Sequence, residues 1–207
     1  MKQRKTKKSE YTQERILIAA EKEFSEKGFY GARVDSIAAE SGINKRMIYA
    51  HFGSKEGLYA KVLFVVYERL AACERGFMRD DLSPVESIRN IIFVSFKFLI
   101  ENPSFVRMLL WENLNRGMAI PVKDLVELKA PTFEYMKKQI RLGKESGAFR
   151  KEADEDQVVL SLMSFCFSYF SNVHTMSAIL GKAMTDEKEV MERADFIANI
   201  LIKYLSA

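Results

Sequence analysis

One short segment combines positive charge with apolar and aromatic surface. Its side chains are Lys45, Arg46, Met47 and Tyr49. Such a group suits contact with the base edges of DNA or the adjacent backbone. Arg46 is the best candidate for reading a base, because one guanidinium can hydrogen-bond to O6 and N7 of guanine together. The residue types therefore indicate a surface that binds double-stranded DNA.

A short helix is needed to present these side chains on one side. Gly42 can end a preceding helix in the left-handed conformation, and Asn44 can cap the next helix by accepting from its backbone N–H groups. Ile48 and Phe52 stand four residues apart and fall on one face, opposite Arg46. The pattern predicts a helix that is anchored through one face and exposed on the other.

Further helices are predicted on both sides of this one. Apolar residues recur at helical spacing after Thr12, an expected N-cap, and stop at Gly28. A short helix follows over 34–41, and Ser54 is expected to cap a long helix over about 55–75. Two short helices joined by a glycine-containing turn and supported by a third form a helix-turn-helix.

The spaced pattern over about residues 10–62 resembles the N-terminal domain of TetR-family transcriptional regulators. The residues that carry it are Thr12, Arg15-Ile16-Leu17, Ala19-Ala20, Phe24, Gly28-Phe29, Ile37-Ala38, Gly42-Ile43-Asn44 and Tyr49 through Glu56. The resemblance implies an all-α homodimer of about nine helices that represses transcription until a small molecule binds. It implies a helix-turn-helix domain over 10–55, a helical effector-binding and dimerisation domain over 56–207, and phosphate contacts from Tyr49, His51 and Lys55.

Three positions depart from what is common in that family. Ala32 and Arg33 stand where many members have Thr or Ser, so a guanidinium replaces a hydroxyl as the expected phosphate contact. Arg46 stands where many members have a small residue, so no operator sequence can be carried over. The predicted DNA-binding set is Arg33, Asn44, Lys45, Arg46, Met47, Tyr49, His51 and Lys55.

Positive charge is concentrated in the first quarter of the chain. Residues 1–55 contain twelve Lys and Arg against seven Asp and Glu, a net charge of +5, whereas the remaining residues carry a net charge of −1. This distribution favours contact with a polyanion. We expect residues 1–9 to form a basic, disordered tail, which either follows phosphates or the minor groove or only aids solubility.

The rest of the 207-residue chain is predicted to be helical, without strand-like alternation or a glycine-rich phosphate loop. The expected helices cover approximately 85–100, 103–115, 121–144, 154–180 and 186–205. Pro131 is either a break within the third of these or a new start.

Two of these helices carry patterns typical of helix–helix interfaces. Small residues form a stripe on the first of them: Ser161, Ser164, Ser168, Ser171 and Thr175. Residues at alternating spacings of four and three form a short coiled-coil seam on the last helix: Val190, Ala194, Ile197, Leu201 and Tyr204. We expect both sets in a homodimer interface, a four-helix bundle that the family resemblance also implies. The alternatives are an intramolecular core and, over 158–180, a transmembrane span, which five hydroxyl groups, Asn172 and His174 disfavour.

Aromatic and methionine residues are abundant in the middle of the chain. Those expected to line an effector pocket, together with two polar groups, are Phe96, Phe105, Met108, Trp111, Glu112, Phe133, Met136, Met163, Phe167, Phe170 and His174. Such side chains line apolar ligand sites, although each of them can also be explained by core packing. The family's usual pocket lies between the middle helices, which implies a small hydrophobic or aromatic effector.

Other classes of protein fit the sequence poorly. The two histidines, His51 and His174, do not form part of a catalytic set or a metal cluster. We therefore expect a protein without catalytic activity and without a cofactor. Cys73 and Cys166 are expected to be reduced thiols, with a redox sensor as the alternative. The N-terminal residues lack the apolar core of a signal peptide, so a cytoplasmic protein is expected. Two regulators remain: a ligand-released repressor, and a DNA-binding dimer that is constitutive or controlled by a protein partner.

Overall fold

The computed structural model describes residues 2–119 and 122–206, with side chains from residue 9 onward. Within these ranges the chain forms ten α-helices, and the prediction of an all-α fold is confirmed. They are α1 (Lys2–Gly31), α2 (Val34–Ser41), α3 (Lys45–Phe52), α4 (Lys55–Arg75), α5 (Pro84–Glu101), α6 (Pro103–Leu114), α7 (Val122–Glu145), α8 (Glu155–Ser171), α9 (Val173–Leu180) and α10 (Glu187–Leu205).

Helix α2 ends, and α3 and α4 begin, where the sequence predicts because their caps form. Gly42 ends α2 with a φ of 65°, and Asn44 Oδ1 accepts from the backbone N–H of Met47 at 2.9 Å. Ser54 Oγ accepts from the backbone N–H of Gly57 at 3.1 Å. The two side-chain caps, Asn44 and Ser54, each satisfy a backbone donor that the first turn of a helix leaves unpaired.

Helix α1 starts earlier than expected. Thr12 lies inside it, and residues 2–9, expected to be a disordered tail, form its first turns. This stretch contains neither Gly nor Pro, and its Lys, Arg and Gln residues favour helix, so nothing in it ends α1. The expected stop at Gly28 is a kink, with a φ of 67°, before the last turn.

The helix expected over 154–180 is two helices, α8 and α9, which meet at Asn172. The Asn172 amide donates to the Ser168 carbonyl and to Ser171 Oγ, each at 2.9 Å. Such local side-chain bonds compete with helix continuation, and the break raises the helix number from nine to ten. Among the described residues no helix is long and apolar enough to cross a membrane. By contrast, α7 continues through Pro131 without a break.

The chain divides into two compact units. The N-terminal unit comprises residues up to Tyr67 together with Arg107–Leu125, and the C-terminal unit comprises Glu68–Val106 together with residues from Val126 onward. The core of the N-terminal unit contains Leu58, Tyr59, Val62 and Leu63 of α4 and Met108 of α6, besides residues of α1, α2 and α3. The first unit therefore extends beyond the boundary at residue 55 expected from the sequence, because half of α4 is part of its core.

In the C-terminal unit, α10 packs against α5 and α8. Four residues of the expected dimer seam, Val190, Ala194, Ile197 and Leu201, are at most 4% exposed within the single chain. These four residues therefore pack within the single chain, which is the intramolecular alternative that the sequence left open. A four-three spacing shows that a helix packs along one face, and here α5 of the same chain covers that face.

Candidate nucleic-acid interface

Helix α3 has one buried face and one exposed face. Ile48 is only 1% exposed and lies in the core of the N-terminal unit. Arg46 is exposed, and Met47 and Tyr49 keep 41% and 39% of their surface accessible. A guanidinium beside accessible apolar and aromatic groups can enter a major groove and contact base edges there.

The start of α2 is held by a buried carboxylate of α1. Glu23, 8% exposed, accepts from the backbone N–H of Arg33 at 3.0 Å and from Lys27 Nζ at 2.8 Å. Burial by itself raises the pKa of Glu23, but these hydrogen bonds outweigh burial and the pKa is lowered. The ionised Glu23 thus fixes the backbone at the beginning of α2, while the Arg33 side chain remains exposed.

The turn between α2 and α3 is covered by a residue of α1. A Cβ at Gly42 would lie 2.8 Å from Arg15 Nη2, and the backbone there has a positive φ. Both facts favour glycine at this position. The positive φ at the end of α2 therefore requires the residue type that the sequence pattern had already identified.

Lys45 is less available than the sequence suggests. Its Nζ lies 2.9 Å from Asp35 Oδ1 of α2, with both side chains largely exposed. The hydrogen bond to Asp35 raises the pKa of Lys45. A DNA phosphate must therefore compete with Asp35 for this ammonium group.

The remaining predicted residues also have contacts within the N-terminal unit. His51 Nδ1 lies 3.3 Å from Gln13 Nε2 of α1, and Lys55 Nζ lies 4.8 Å from the centroid of the Phe29 ring. The amide oxygen of Asn44 is used in capping α3. The eight predicted residues thus lie in one unit, and the exposed side chains without such a described contact are Arg33, Arg46, Met47 and Tyr49.

The small-residue stripe of α8 and α9 is accessible, unlike four of the five seam residues of α10. Ser164, Ser168 and Thr175 are exposed, and Ser161 and Ser171 are half-buried. Large apolar side chains are also exposed on α8, α9 and α10: Leu160, Phe165, Met176, Ile179, Leu180, Met191, Phe196, Ile200 and Tyr204. A groove of about 510 Å³ runs between α8 and α10 and includes Phe165, Ser168 and Arg193 in its wall.

The expected effector-pocket residues are divided between the two units. Met108, Trp111 and Glu112 belong to the N-terminal unit, and the others belong to the C-terminal unit. In the C-terminal unit Phe96, Phe105, Met136 and Phe170 are buried, Phe133, Met163 and Phe167 are half-buried, and His174 is exposed. The Phe96 ring contacts the Phe170 ring with centroids 5.5 Å apart. These rings are packed in the core, and His174 is a surface residue.

The interior of the C-terminal unit also contains polar groups that the sequence analysis missed. Lys129 Nζ donates to both carboxylate oxygens of Glu74, and Thr132 Oγ1 donates to Glu74 Oε2 at 2.8 Å. Burial lowers the pKa of Lys129. Ser87 Oγ and Gln139 Oε1 are buried without a hydrogen-bond partner among the described residues. In the sequence, these polar residues could have been recognised as buried only because they recur at helical spacing among apolar residues.

Two family models match the chain. The model described as bacterial regulatory proteins, tetR family, matches residues 16–62. The model described as tetracyclin repressor-like, C-terminal domain, matches residues 84–201. Together they cover the helix-turn-helix and most of the helices that follow it.

Relatives and solved structures agree with these matches. The chain is 31% identical to the HTH-type transcriptional repressor NicS of Pseudomonas putida over 210 residues, covering 99% of both proteins. It is 26% identical to the HTH-type transcriptional regulator RutR of Escherichia coli, covering 91% of this chain and 87% of RutR. The crystal structure of PfmR from Thermus thermophilus shares the fold, with a TM-score of 0.71 and 21% identity over 93% of this chain and 99% of PfmR.

Proposed function

Because this chain belongs to the TetR family of DNA-binding transcriptional regulators, we propose that it is a homodimeric repressor that a small effector releases from an inverted-repeat operator. The observation that carries this proposal is the exposed face of α3, which holds Arg46, Met47 and Tyr49 over the buried Ile48. The relative NicS is named as a transcriptional repressor, which supports repression over activation.

In the proposed complex α3 enters the major groove. Arg46 reads a base, Met47 and Tyr49 contact neighbouring bases or backbone, and Arg33, Lys55 and His51 lie against phosphates. One short helix reads only a few base pairs, so two copies related by a two-fold axis are needed for useful specificity. The operator is therefore expected to be an inverted repeat.

The DNA-binding proposal is tested by selecting bound sequences from random duplexes, followed by titration with the selected duplex and a scrambled one. Arg46→Ala should reduce the preference for the selected duplex, by about 1–3 kcal/mol for each base that the guanidinium reads. Lys55→Ala should weaken both duplexes alike and reduce the log–log salt slope by about 0.9 per phosphate contact. Arg75→Ala, in the C-terminal unit, is the matched control and should change neither the preference for the selected duplex nor the salt slope. Equal weakening of both duplexes by Arg46→Ala would remove its base-reading role.

Dimerisation is proposed through the exposed apolar surface of α8, α9 and α10. Large apolar side chains that are exposed together on neighbouring helices suit an interaction surface, and the accessible stripe of Ser164 and Ser168 permits close approach of a second helix. Phe165 and Phe196 supply aromatic groups of the kind that dominate interfaces. In this interface Ser168→Arg should yield a folded monomer that binds the operator weakly.

The effector is proposed to be a small hydrophobic or aromatic molecule that binds among the helices of the C-terminal unit. The concentration of aromatic and methionine side chains there supports an apolar ligand. The buried, unpartnered Ser87 Oγ and Gln139 Oε1 add hydrogen-bonding groups that a ligand with a polar substituent would satisfy. Release requires that the ligand prefer a conformation with lower operator affinity.

A thermal-shift screen of hydrophobic and aromatic compounds tests the effector proposal. Each compound that raises the melting temperature is then added to an operator titration, where a coupling of about 1–3 kcal/mol is typical of such switches. Ser87→Ala and Gln139→Ala should weaken binding of the effective compounds. Compounds that stabilise the protein and leave operator affinity unchanged would favour a constitutive or partner-controlled regulator.

A further inference from the structure

The N-terminal unit contains a groove that the proposed DNA contacts do not use. Its volume is about 410 Å³, and its walls come from the end of α1, the start of α4, and α6 with the turn that follows it. Three aromatic rings, Phe29, Tyr30 and Tyr59, and two carboxylates, Glu56 and Glu112, line it. An acidic, aromatic groove is unexpected in the part of the chain that carries the excess of positive charge.

Glu112 is the principal polar group of this groove. The residue is 4% exposed, and its Oε1 accepts from the backbone N–H of Ala119 at 2.7 Å. Its Oε2 is buried and has no hydrogen-bond partner among the described residues. A buried carboxylate oxygen without a donor is unfavourable, so this oxygen favours a ligand that brings one.

A second polar group lies beside it. Tyr59 is 2% exposed, and its hydroxyl faces Glu112 without meeting the geometry of a full hydrogen bond. Burial, followed by the negative charge of Glu112 and a side-chain interaction with it, raises the pKa of Tyr59. Burial and the charge of Glu112 also raise the pKa of Tyr67 to about 12. Tyr59 therefore stays a neutral hydroxyl, while Glu56 adds an exposed carboxylate at the rim.

The walls of the groove are held by close packing between α1 and α6. The Trp111 indole N–H donates to the Ser25 carbonyl at 3.3 Å. A Cβ at Gly28 would lie 2.7 Å from Trp111 Cδ2, so the indole rests directly on the kink of α1. This contact fixes α6, and with it Glu112, relative to the end of α1.

We propose that this groove binds an organic cation, a protonated amine carried on an aromatic or apolar body. The ammonium group donates to Glu112 Oε2, and the body lies against the rings of Phe29 and Tyr30. Aromatic faces attract cations. A neutral ligand brings no charge to pair with the buried carboxylate, and an anionic ligand is repelled by both carboxylates. This site is separate from the effector site proposed in the C-terminal unit, since all its lining residues belong to the N-terminal unit.

Calorimetric titration of the full-length protein with tryptamine and with tryptophol tests the proposal. The two probes share an indole and differ in that one carries an ammonium group and the other a hydroxyl. We expect one tryptamine per chain and at least about tenfold weaker binding of tryptophol, since hydrogen bonds to charged groups exceed neutral ones by such factors. Glu112→Gln, which keeps an acceptor for Ala119, should abolish the difference, and the exposed-site control Glu68→Gln should preserve it.

Equal binding of the two probes to the wild type, no binding of either, or unchanged discrimination in Glu112→Gln would overturn the proposal. A melting curve establishes that the variant is folded. If it is not, crystals of the wild-type protein grown with tryptamine decide: an amine nitrogen within hydrogen-bond distance of Glu112 supports the site, and density only elsewhere overturns it. None of these measurements involves an operator, so their outcome is independent of the repressor proposal.

Discussion

Substitutions at two neighbouring residues of α10 should separate the stability of the fold from the proposed dimerisation. Phe196 is 55% exposed, whereas Ile197 is 1% exposed. Phe196→Ala should leave the free energy of unfolding nearly unchanged and weaken the dimer. Ile197→Ala should reduce the free energy of unfolding by about 2–5 kcal/mol, because it leaves a cavity between α10 and α5.

The size of the dimer effect follows from the exposure of Phe196. Full burial of a phenylalanine contributes about 1.5–3 kcal/mol, and roughly half of that remains available to a side chain that is 55% exposed. A two-fold symmetric interface contains the residue twice, so the dimer should be weakened by about 2–3 kcal/mol. This corresponds to an increase of about 30- to 150-fold in the dimer dissociation constant.

Sedimentation velocity over a range of protein concentrations measures that constant, and chemical denaturation measures the free energy of unfolding. Tyr30→Ala, another exposed aromatic residue but in the N-terminal unit, is the matched control and should leave the dimer intact. An unchanged dissociation constant for Phe196→Ala would exclude the exposed face of α10 from the interface. A weakened dimer in a fully stable Ile197→Ala protein would contradict the assignment of Ile197 to the intramolecular core.

Two further substitutions and one labelling experiment have defined outcomes. Asp35→Asn should tighten DNA binding at low salt, because it frees Lys45 from its ion pair and removes a negative charge. The gain in affinity should shrink as the salt concentration is raised. Weaker DNA binding would instead indicate that the ion pair positions α3. Gly28→Ala should lower the free energy of unfolding by about 1–3 kcal/mol, because φ is 67° and the added Cβ would lie 2.7 Å from the Trp111 indole. An unchanged denaturation midpoint would contradict this strain. Burial raises the pKa of Cys166 to about 12, so its thiol stays protonated at pH 8. Iodoacetamide should therefore label the partly exposed Cys73 first. Mass spectrometry of samples taken over time measures the order of labelling, and earlier labelling of Cys166 would refute this expectation.

The helix-turn-helix could be predicted closely because its signals are local. Gly42, Asn44 and Ser54 act on the backbone within a few residues, and the structure forms each of these caps. The break at Asn172 could not be predicted in the same way. An asparagine within an apolar helix can point to solvent or bond to its own backbone, and only the folded chain selects between them.

The interfaces were harder to assign because a pattern on one helix does not identify its partner. Val190 and Ile197 follow a coiled-coil spacing that suits either a second subunit or α5 of the same chain. The candidate site shows the same difficulty in another form. The charges of Lys45 and Lys55 are evident from the sequence, but their contacts with Asp35 and Phe29 depend on side chains ten or more residues away.

The packing of Trp111 on Gly28 provides an optical signal. Trp111 is the one tryptophan in the chain, and its indole N–H is bonded to the Ser25 carbonyl inside the N-terminal unit. Its fluorescence therefore originates in the DNA-binding unit alone, without a dye or an engineered label. A shift of the emission maximum to longer wavelength would report exposure of the indole to water at this junction. Stopped-flow fluorescence could then time the response of the DNA-binding unit separately from the binding of a proposed effector.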